Sequence, residues 1–256
     1  MRIIVKIGSN VLARADGSLS IARMAALADD VAELYGQGHQ VLIVTSGAVA
    51  AGRSQINLPR TAERVARRQV LSSVGQTVLI DTYRGIFEAN GLKIGQILVT
   101  KNDFGDGTHA ANMRQCLQTL FAYGIVPVVN ENDTVSVESL MFTDNDELAG
   151  LLAKLLEADL LIILSSVDGV YDRAPTDPEA KLLRTILPDG DDSIEVGEST
   201  SMGRGGMKTK LGVAYRTARD GITCVVANGH RPNILCNLVQ DPESVPCTRF
   251  LPAAAK

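Results

Sequence analysis

Six short apolar runs recur along the chain, at residues 3–7, 41–44, 94–99, 125–129, 160–164 and 223–227, and longer stretches of helical period separate most of them. This alternation limits the fold more than any other feature. Runs this short, bounded by turn residues, suit strands buried on both faces of a sheet. Residues 20–35 put Ile21, Met24, Leu27, Ala28, Val31 and Leu34 on one helix face, and Gly36 and Gly38 end that helix. Further helices are expected at 62–90, 111–123, 144–157 and 206–220. Strands alternating with helices give right-handed βαβ units. The expected class is therefore α/β: a three-layer αβα sandwich with a central, mostly parallel sheet.

Three stretches break the alternation. Residues 134–142 alternate like a hairpin, and residues 175–196 are rich in Pro, Asp and Glu like a surface excursion. Residues 232–252 hold two short β-like pieces, ILCNLV and TRFLP. No repeat, low-complexity tract or linker-like change of composition divides the chain, so residues 1–256 read as one domain.

Composition excludes several classes. A net charge of -4 offers no nucleic-acid surface. The most basic stretch, RTAERVARR at 60–68, also holds Glu63 and reads as a solvated helix face rather than a phosphate site. Cys116, Cys224, Cys236 and Cys247 form no CxxC pair, and the three histidines lie far apart, which argues against a zinc site. Few cysteines fit a reducing compartment. The chain opens on a strand, so no signal peptide is expected, and no apolar run reaches the ~18 residues of a membrane helix. A cytoplasmic location is the expectation.

Open α/β sheets bind ligands at the carboxyl ends of their strands. The first run, VKIGSN, carries Lys6 just before Gly8 and Ser9. Lys6 either reaches water from an edge strand or faces a ligand at the strand end. The second run leads into TSGAVAAG, where Ser46, Gly47 and Ala48 start a helix. That turn is either an anion-binding helix start or a plain serine cap. The fourth run ends in Asn130, Glu131, Asn132 and Asp133, and FTDNDELAG places Asp144, Asn145 and Asp146 at a helix start. The helix dipole accounts for Asp144 alone. Two polar clusters suggest recognition of an amine or hydroxyl, or organisation of a cation.

The fifth run ends in Ser165 and Ser166, followed by the turn signal Asp168-Gly169. In SMGRGGMKTKL, Gly203, Gly205 and Gly206 precede a helix carrying Lys208 and Lys210. A glycine-rich loop entering a helix is phosphate-binding geometry. Neither GxxxxGK[ST] nor GxGxxG occurs, so this is no P-loop and no dinucleotide fingerprint. Lys6 and Lys210 with anion loops between them suit phosphoryl transfer, where positioning and charge do most of the catalysis.

Together, VKIGSN, TSGAVAAG, VPVVNENDTV, FTDNDELAG and GRGGMKTKL resemble the glutamate 5-kinases of the amino-acid kinase superfamily, over residues 2 to about 229. The closing TRFLP is similar too. The resemblance implies the amino-acid kinase fold, and ATP- and Mg²⁺-dependent phosphorylation of the side-chain carboxylate of L-glutamate, the first step of proline synthesis. By motif position, Lys6 and Lys210 would contact ATP phosphates, and Asp146 would hold both lysines. Ser46, Asp133 and Asn145 would bind glutamate, with Gly47, Ala48 and Asn130 around it. Ser165, Ser166 and the loop of Arg204, Gly205, Gly206, Met207, Lys208, Thr209 and Lys210 would line the nucleotide. No protein ligand of the metal is assigned.

Further expectations from the resemblance are feedback inhibition by L-proline and a homodimer or homotetramer, with no nucleic acid or membrane partner. Two departures bear on the nucleotide: Ser166 stands where the family has Asp, and Arg204 where it has Ser or Thr. Many members also carry an RNA-modification-type (PUA) domain, for which 256 residues leave no room. A non-catalytic glutamate or proline sensor, or a kinase for another carboxylate substrate, is the competing reading.

Overall fold

The computed structural model describes residues 1–14, 16–59, 63–105, 107–135, 142, 144–188 and 206–252. Among them one sheet contains β1 (Arg2–Ile7), β2 (Gln40–Val44), β3 (Lys93–Val99), β4 (Ile125–Glu131), β5 (Leu160–Ser165), β6 (Thr185–Ile186), β7 (Thr223–Asn228) and β8 (Cys247–Phe250). The helices are α1 (Ser9–Leu12), α2 (Ile21–Gly36), α3 (Ala48–Gln55), α4 (Arg64–Ala89), α5 (Asn102–Gly105), α6 (Gly107–Ala122), α7 (Asn145–Leu155), α8 (Met207–Arg219) and α9 (Ile234–Gln240). The spatial order is β3-β4-β2-β1-β5-β7-β8-β6. Every pairing is parallel except β7 with β8. The α/β sandwich and its mostly parallel sheet are as the sequence led one to expect.

β1 is central. Lys6 pairs in register with Val44 on one side and Ile163 on the other. The edge-strand reading of Lys6 therefore fails. Side chains alternate across the sheet with period two. Ile3, Val5 and Ile7 join the core under α2, α4 and α9, whereas Ile4 joins the core under α6, α7 and α8. Lys6 falls on the side of Ile4, toward α7 and α8. Each fully buried Ile or Leu contributes roughly 1.5–3 kcal/mol. That apolar frame offsets the burial of two ions, Lys6 at 5% exposure and Asp146 at 0%.

A pair of glycines sets how α3 meets α4. A Cβ on Gly52 would lie 1.9 Å from the Leu71 carbonyl oxygen, and one on Gly75 1.8 Å from that of Ala48. The two helices thus touch backbone to backbone, which fixes where α3 begins.

Two expectations need revision. ILCNLV is not β-like; it forms α9. Its first turn is capped from a distance, because the Leu235 N–H donates to Asp30 Oδ2 on α2 at 2.8 Å. Ile234, Leu235 and Leu238 then bury into the core on α2's side. A short apolar run fits either period, and the tertiary cap decides. TRFLP does supply most of β8. The 175–196 stretch is mostly surface as far as residue 188, but it also contributes β6 to the sheet edge. The hairpin expected at 134–142 lies largely outside the described residues. No helix among the described residues is long and apolar enough to cross a membrane.

Candidate active site

The carboxyl ends of β1, β2, β4 and β5 converge where the sheet order switches direction, the usual ligand crevice of such sheets. Lys6 Nζ lies 2.6 Å from Asp146 Oδ1, and Lys210 Nζ lies 2.8 Å from Asp146 Oδ2. Oδ1 receives no well-angled hydrogen bond and meets Lys6 as an ion pair. On α8, Lys210 shares an inward face with Val213, Ala214 and Thr217, whereas Lys208 is exposed. Helical spacing therefore chooses Lys210 over Lys208 for the site.

Asp146 sits in the first turn of α7. The N-cap is Asp144, whose Oδ1 accepts the N–H groups of Asp146 at 2.8 Å and Glu147 at 3.2 Å. Burial alone would raise the Asp146 pKa, but Lys6 and Lys210 reverse that and bring it down to about 2. The Asp144 carboxyl is held above its ordinary range, first by burial and then by Asp146, against the pull of Lys6. Asp144 Oδ2 is buried and makes no well-formed hydrogen bond among the described residues, although Thr209 and Lys6 both favour the charged carboxyl.

A second set is tied together through amides. The Asn145 Nδ2 lies 2.6 Å from the Thr45 carbonyl, 3.2 Å from Ser46 Oγ and 3.0 Å from Asn130 Oδ1. Asn130 Nδ2 donates to Gln76 Oε1 at 2.9 Å. The cap of α3 is Gly47, at φ 104°, a left-handed conformation that favours glycine. Ser46 makes no side-chain cap, so the plain serine-cap reading fails, and its hydroxyl is left facing Asn145.

Asp133 and Glu131 are both buried, and Arg68 of α4 meets them. Arg68 Nε and Nη2 reach Asp133 Oδ1 at 2.8 and 2.5 Å, and Nη2 lies 3.4 Å from Glu131 Oε2. The basic stretch 60–68 is thus not solvated throughout; Arg68 turns inward. Glu131 Oε1 also accepts the Phe142 N–H at 3.0 Å. A cleft of about 270 Å³ opens beside this cluster, lined by Ser72, Gln76, Gln96 and Asp133 among others.

On the nucleotide side, Ser165 ends β5 half-buried, and its carbonyl accepts the Gly229 N–H at 2.9 Å. Ser166 is exposed. Gly206 caps α8 and accepts the Thr209 hydroxyl at 2.8 Å, with Met207 half-buried after it. Arg204 and Gly205 lie outside the described residues. The structure thus brings together Lys6, Asp146 and Lys210, and separately Ser46, Asn130 and Asn145, while Asp133 stands with Arg68.

Three participants were not singled out from sequence. Gln76 extends the amide chain, and its Nε2 is buried without a partner. Arg68 was assigned to solvent. Asp168, taken as a turn residue, receives Arg231 through two bonds of 2.9 Å and Asn228 at 3.1 Å. These pairings join residues about 60 apart, and no local spacing signals them. No group of three His, Cys, Asp or Glu among the described residues could hold a metal by itself.

The Amino acid kinase family matches residues 1–228. A Glutamate 5-kinase of Bacteroides thetaiotaomicron is 47% identical over 253 residues, covering 98% of this chain and 70% of that protein. One of Symbiobacterium thermophilum is 41% identical, covering 94% of this chain and 93% of that protein. One of Chlorobaculum tepidum is 44% identical over 91% of this chain, which spans only 65% of that relative. Among solved structures, an isopentenyl phosphate kinase substrate complex aligns with a TM-score of 0.68 at 18% identity, covering 97% of this chain and 98% of that one. The product complex of the T. acidophilum isopentenyl phosphate kinase gives 0.67 at 15% identity, covering 98% of this chain and all of that one. At such low identity the likeness shows the fold alone.

Proposed function

The chain belongs to the glutamate 5-kinases of the amino acid kinase family, and from that premise we propose that it transfers the γ-phosphoryl group of ATP to the side-chain carboxylate of L-glutamate. The products are L-glutamyl 5-phosphate and ADP, the first step of proline synthesis. The observation that carries this reading is the buried Lys6–Asp146–Lys210 cluster, in which one carboxylate holds two ammonium groups.

A glutamate side chain has a pKa of ~4.3 and is already ionised at neutral pH, so no general base is needed. A carboxylate oxygen attacks the γ-phosphorus, and the bond to the ADP oxygen breaks. Charge spreads over the transferred group as it moves. Lys6 and Lys210 meet that charge from fixed positions in a water-poor site, where fixed donors act most strongly. Asp146 keeps the two lysines close without neutralising both. Asp133 accepts the substrate ammonium by a charge-assisted hydrogen bond. Ser46, Gly47, Ala48, Asn130 and Asn145 shape the rest of the glutamate pocket. Ser165, Ser166 and residues 204–210 hold the nucleotide.

The residues suit a magnesium ion that is held chiefly by phosphates and water. Among the described residues, Asp144 Oδ2 is a buried carboxylate oxygen beside the lysines that makes no well-formed hydrogen bond. Bound there with the phosphates, Mg²⁺ would supply further charge neutralisation. A cytoplasmic homo-oligomer inhibited by L-proline completes the proposal. Proline shares the α-carboxylate and the amine of glutamate, and so could compete for the same pocket.

The deciding experiment mixes purified protein with Mg-ATP, L-glutamate and hydroxylamine. Acyl phosphate is trapped as a hydroxamate, read by its iron colour. Colour that requires L-glutamate, and is absent with aspartate or acetylglutamate, is the expected result. No colour while both ligands bind by calorimetry would overturn the kinase reading. Proline at millimolar levels in the same assay tests the inhibition.

A further inference from the structure

The mechanism above leaves Arg68 without a role, although it is the cation that meets both Glu131 and Asp133. We propose that Arg68 is a specificity-determining residue, its guanidinium holding the α-carboxylate of the substrate while Asp133 holds the ammonium. The inference rests on the kinase reading and extends it to the end of the substrate that does not react.

Two observations carry it. Arg68 Nε and Nη2 both converge on a single oxygen, Asp133 Oδ1. Arg68 Nη1 and Asp133 Oδ2 are left without partners among the described residues. One free donor and one free acceptor therefore belong to the same ion pair. An α-amino acid carries its ammonium and its carboxylate on one carbon, and such a pair complements both.

The charges point the same way. Two carboxylates meet one guanidinium, a setting that favours a further cation such as a substrate ammonium. The carboxylate side chains are only 4% and 7% exposed, and that of Arg68 is 27% exposed. The arginine forms the open side of the cluster. Next to it on α4, Gln69 donates from Nε2 to the Thr134 carbonyl at 3.0 Å, which ties this turn of the helix to the segment that carries Asp133. With five donors in one plane, the guanidinium can serve Asp133, Glu131 and a third carboxylate at once, which a lysine ammonium does less well. A site built this way rejects substrates that lack one of the two groups, because a buried partner is then left unpaired.

The test compares L-glutamate with its α-amide, isoglutamine, in the hydroxamate assay. The wild type, Arg68→Gln and Arg68→Lys are used, with thermal unfolding to check folding. The wild type is expected to favour glutamate over the α-amide by about 10²-fold or more in kcat/KM. Arg68→Gln should lose at least about 30-fold on glutamate, as truncated buried charge pairs do, and little on the α-amide. The preference then collapses, while KM for ATP stays put. Arg68→Lys keeps the charge without the fork, and its preference should fall about tenfold. Equal losses on both substrates would show that Arg68 merely supports Asp133, and would overturn the inference. So would a wild type indifferent to the α-amide. Should Arg68→Gln not fold, a wild-type preference in Arg68→Lys overturns it just as well. A wild type without any glutamate-dependent colour would instead bring down the kinase reading, so the two failures are distinct.

Discussion

Asp146 is shared by two lysines, whereas Arg68 is shared by two carboxylates, Glu131 and Asp133. The two clusters stand at the same edge of one sheet with opposite charge imbalances. The first sets two ammonium groups on one carboxylate, with the Asp144 carboxyl close by, and suits phosphate with its metal ion. The second sets two carboxylates on one guanidinium and suits an ammonium. In both, the minority charge does not bind the ligand's like charge; it holds the majority groups close together against their own repulsion. Burial makes this effective, because charges in a low-dielectric site interact far more strongly than in water.

The largest expected effect comes from removing a cation on the phosphate side. Lys210→Met should lower kcat on the order of 10³-fold, as loss of a transition-state charge contact does. Glutamate affinity by calorimetry should stay within about threefold. Loss of glutamate binding would mean that the clusters do not divide the ligands between them.

The complementary change is Asp133→Asn. KM for glutamate should rise on the order of 10²-fold, the usual scale for breaking a buried charge-assisted contact. KM for ATP should barely move. A parallel rise for ATP in steady-state kinetics would break the division from the other side.

The smallest effect concerns a carboxylate that forms no ion pair among the described residues. Asp30 lies 4% exposed under α9, and burial, helped by Glu33 and Asp29, pushes its carboxyl up to about 6 despite the Leu235 N–H. Its folded pKa stands above the unfolded value of ~3.9. Its protonated form therefore stabilises the fold in full below about pH 4, and this is lost as pH rises through about 6. Asp30→Asn, which keeps an acceptor for Leu235, should gain about 2 kcal/mol at pH 7 and nothing at pH 4 by urea denaturation. An equal gain at both pH values would remove the electrostatic explanation. Asp146 has the opposite sign: its carboxyl is depressed to about 2, so its contribution is complete above about pH 4 and disappears as pH falls through 2.

Much of this was legible. The helix expected at 20–35 is found at Ile21–Gly36, and that expected at 206–220 at Met207–Arg219, because apolar periodicity is a local property. Lys6, Ser46, Asn130, Asn145, Asp146 and Lys210 were singled out by placing polar residues at strand ends and helix starts, and the fold does bring Lys6, Asp146 and Lys210 together, and Ser46, Asn130 and Asn145. Arg68 was misread because its neighbours are charged, and sequence gives no sign of which helix face turns inward when both carry arginine. α9 was misread because its cap, Asp30, lies 205 residues away. Gly52 and Gly75 passed unnoticed because a glycine in a helix looks the same whether it faces water or another backbone.

By itself the sequence determined most of the periods: most of the strands and helices, α9 and β6 excepted, and which polar residues fall at their ends. These follow from steric and apolar patterns repeated every two or 3.6 residues. Tertiary structure alone decided the pairings. It set Lys6 and Lys210 on one carboxylate 64 or more residues from either, turned Arg68 onto Asp133 across 65, and closed α3 on α4 through two glycines. Buried charges and bare backbone require partners, and only the packed chain, with water excluded, fixes which partners they have.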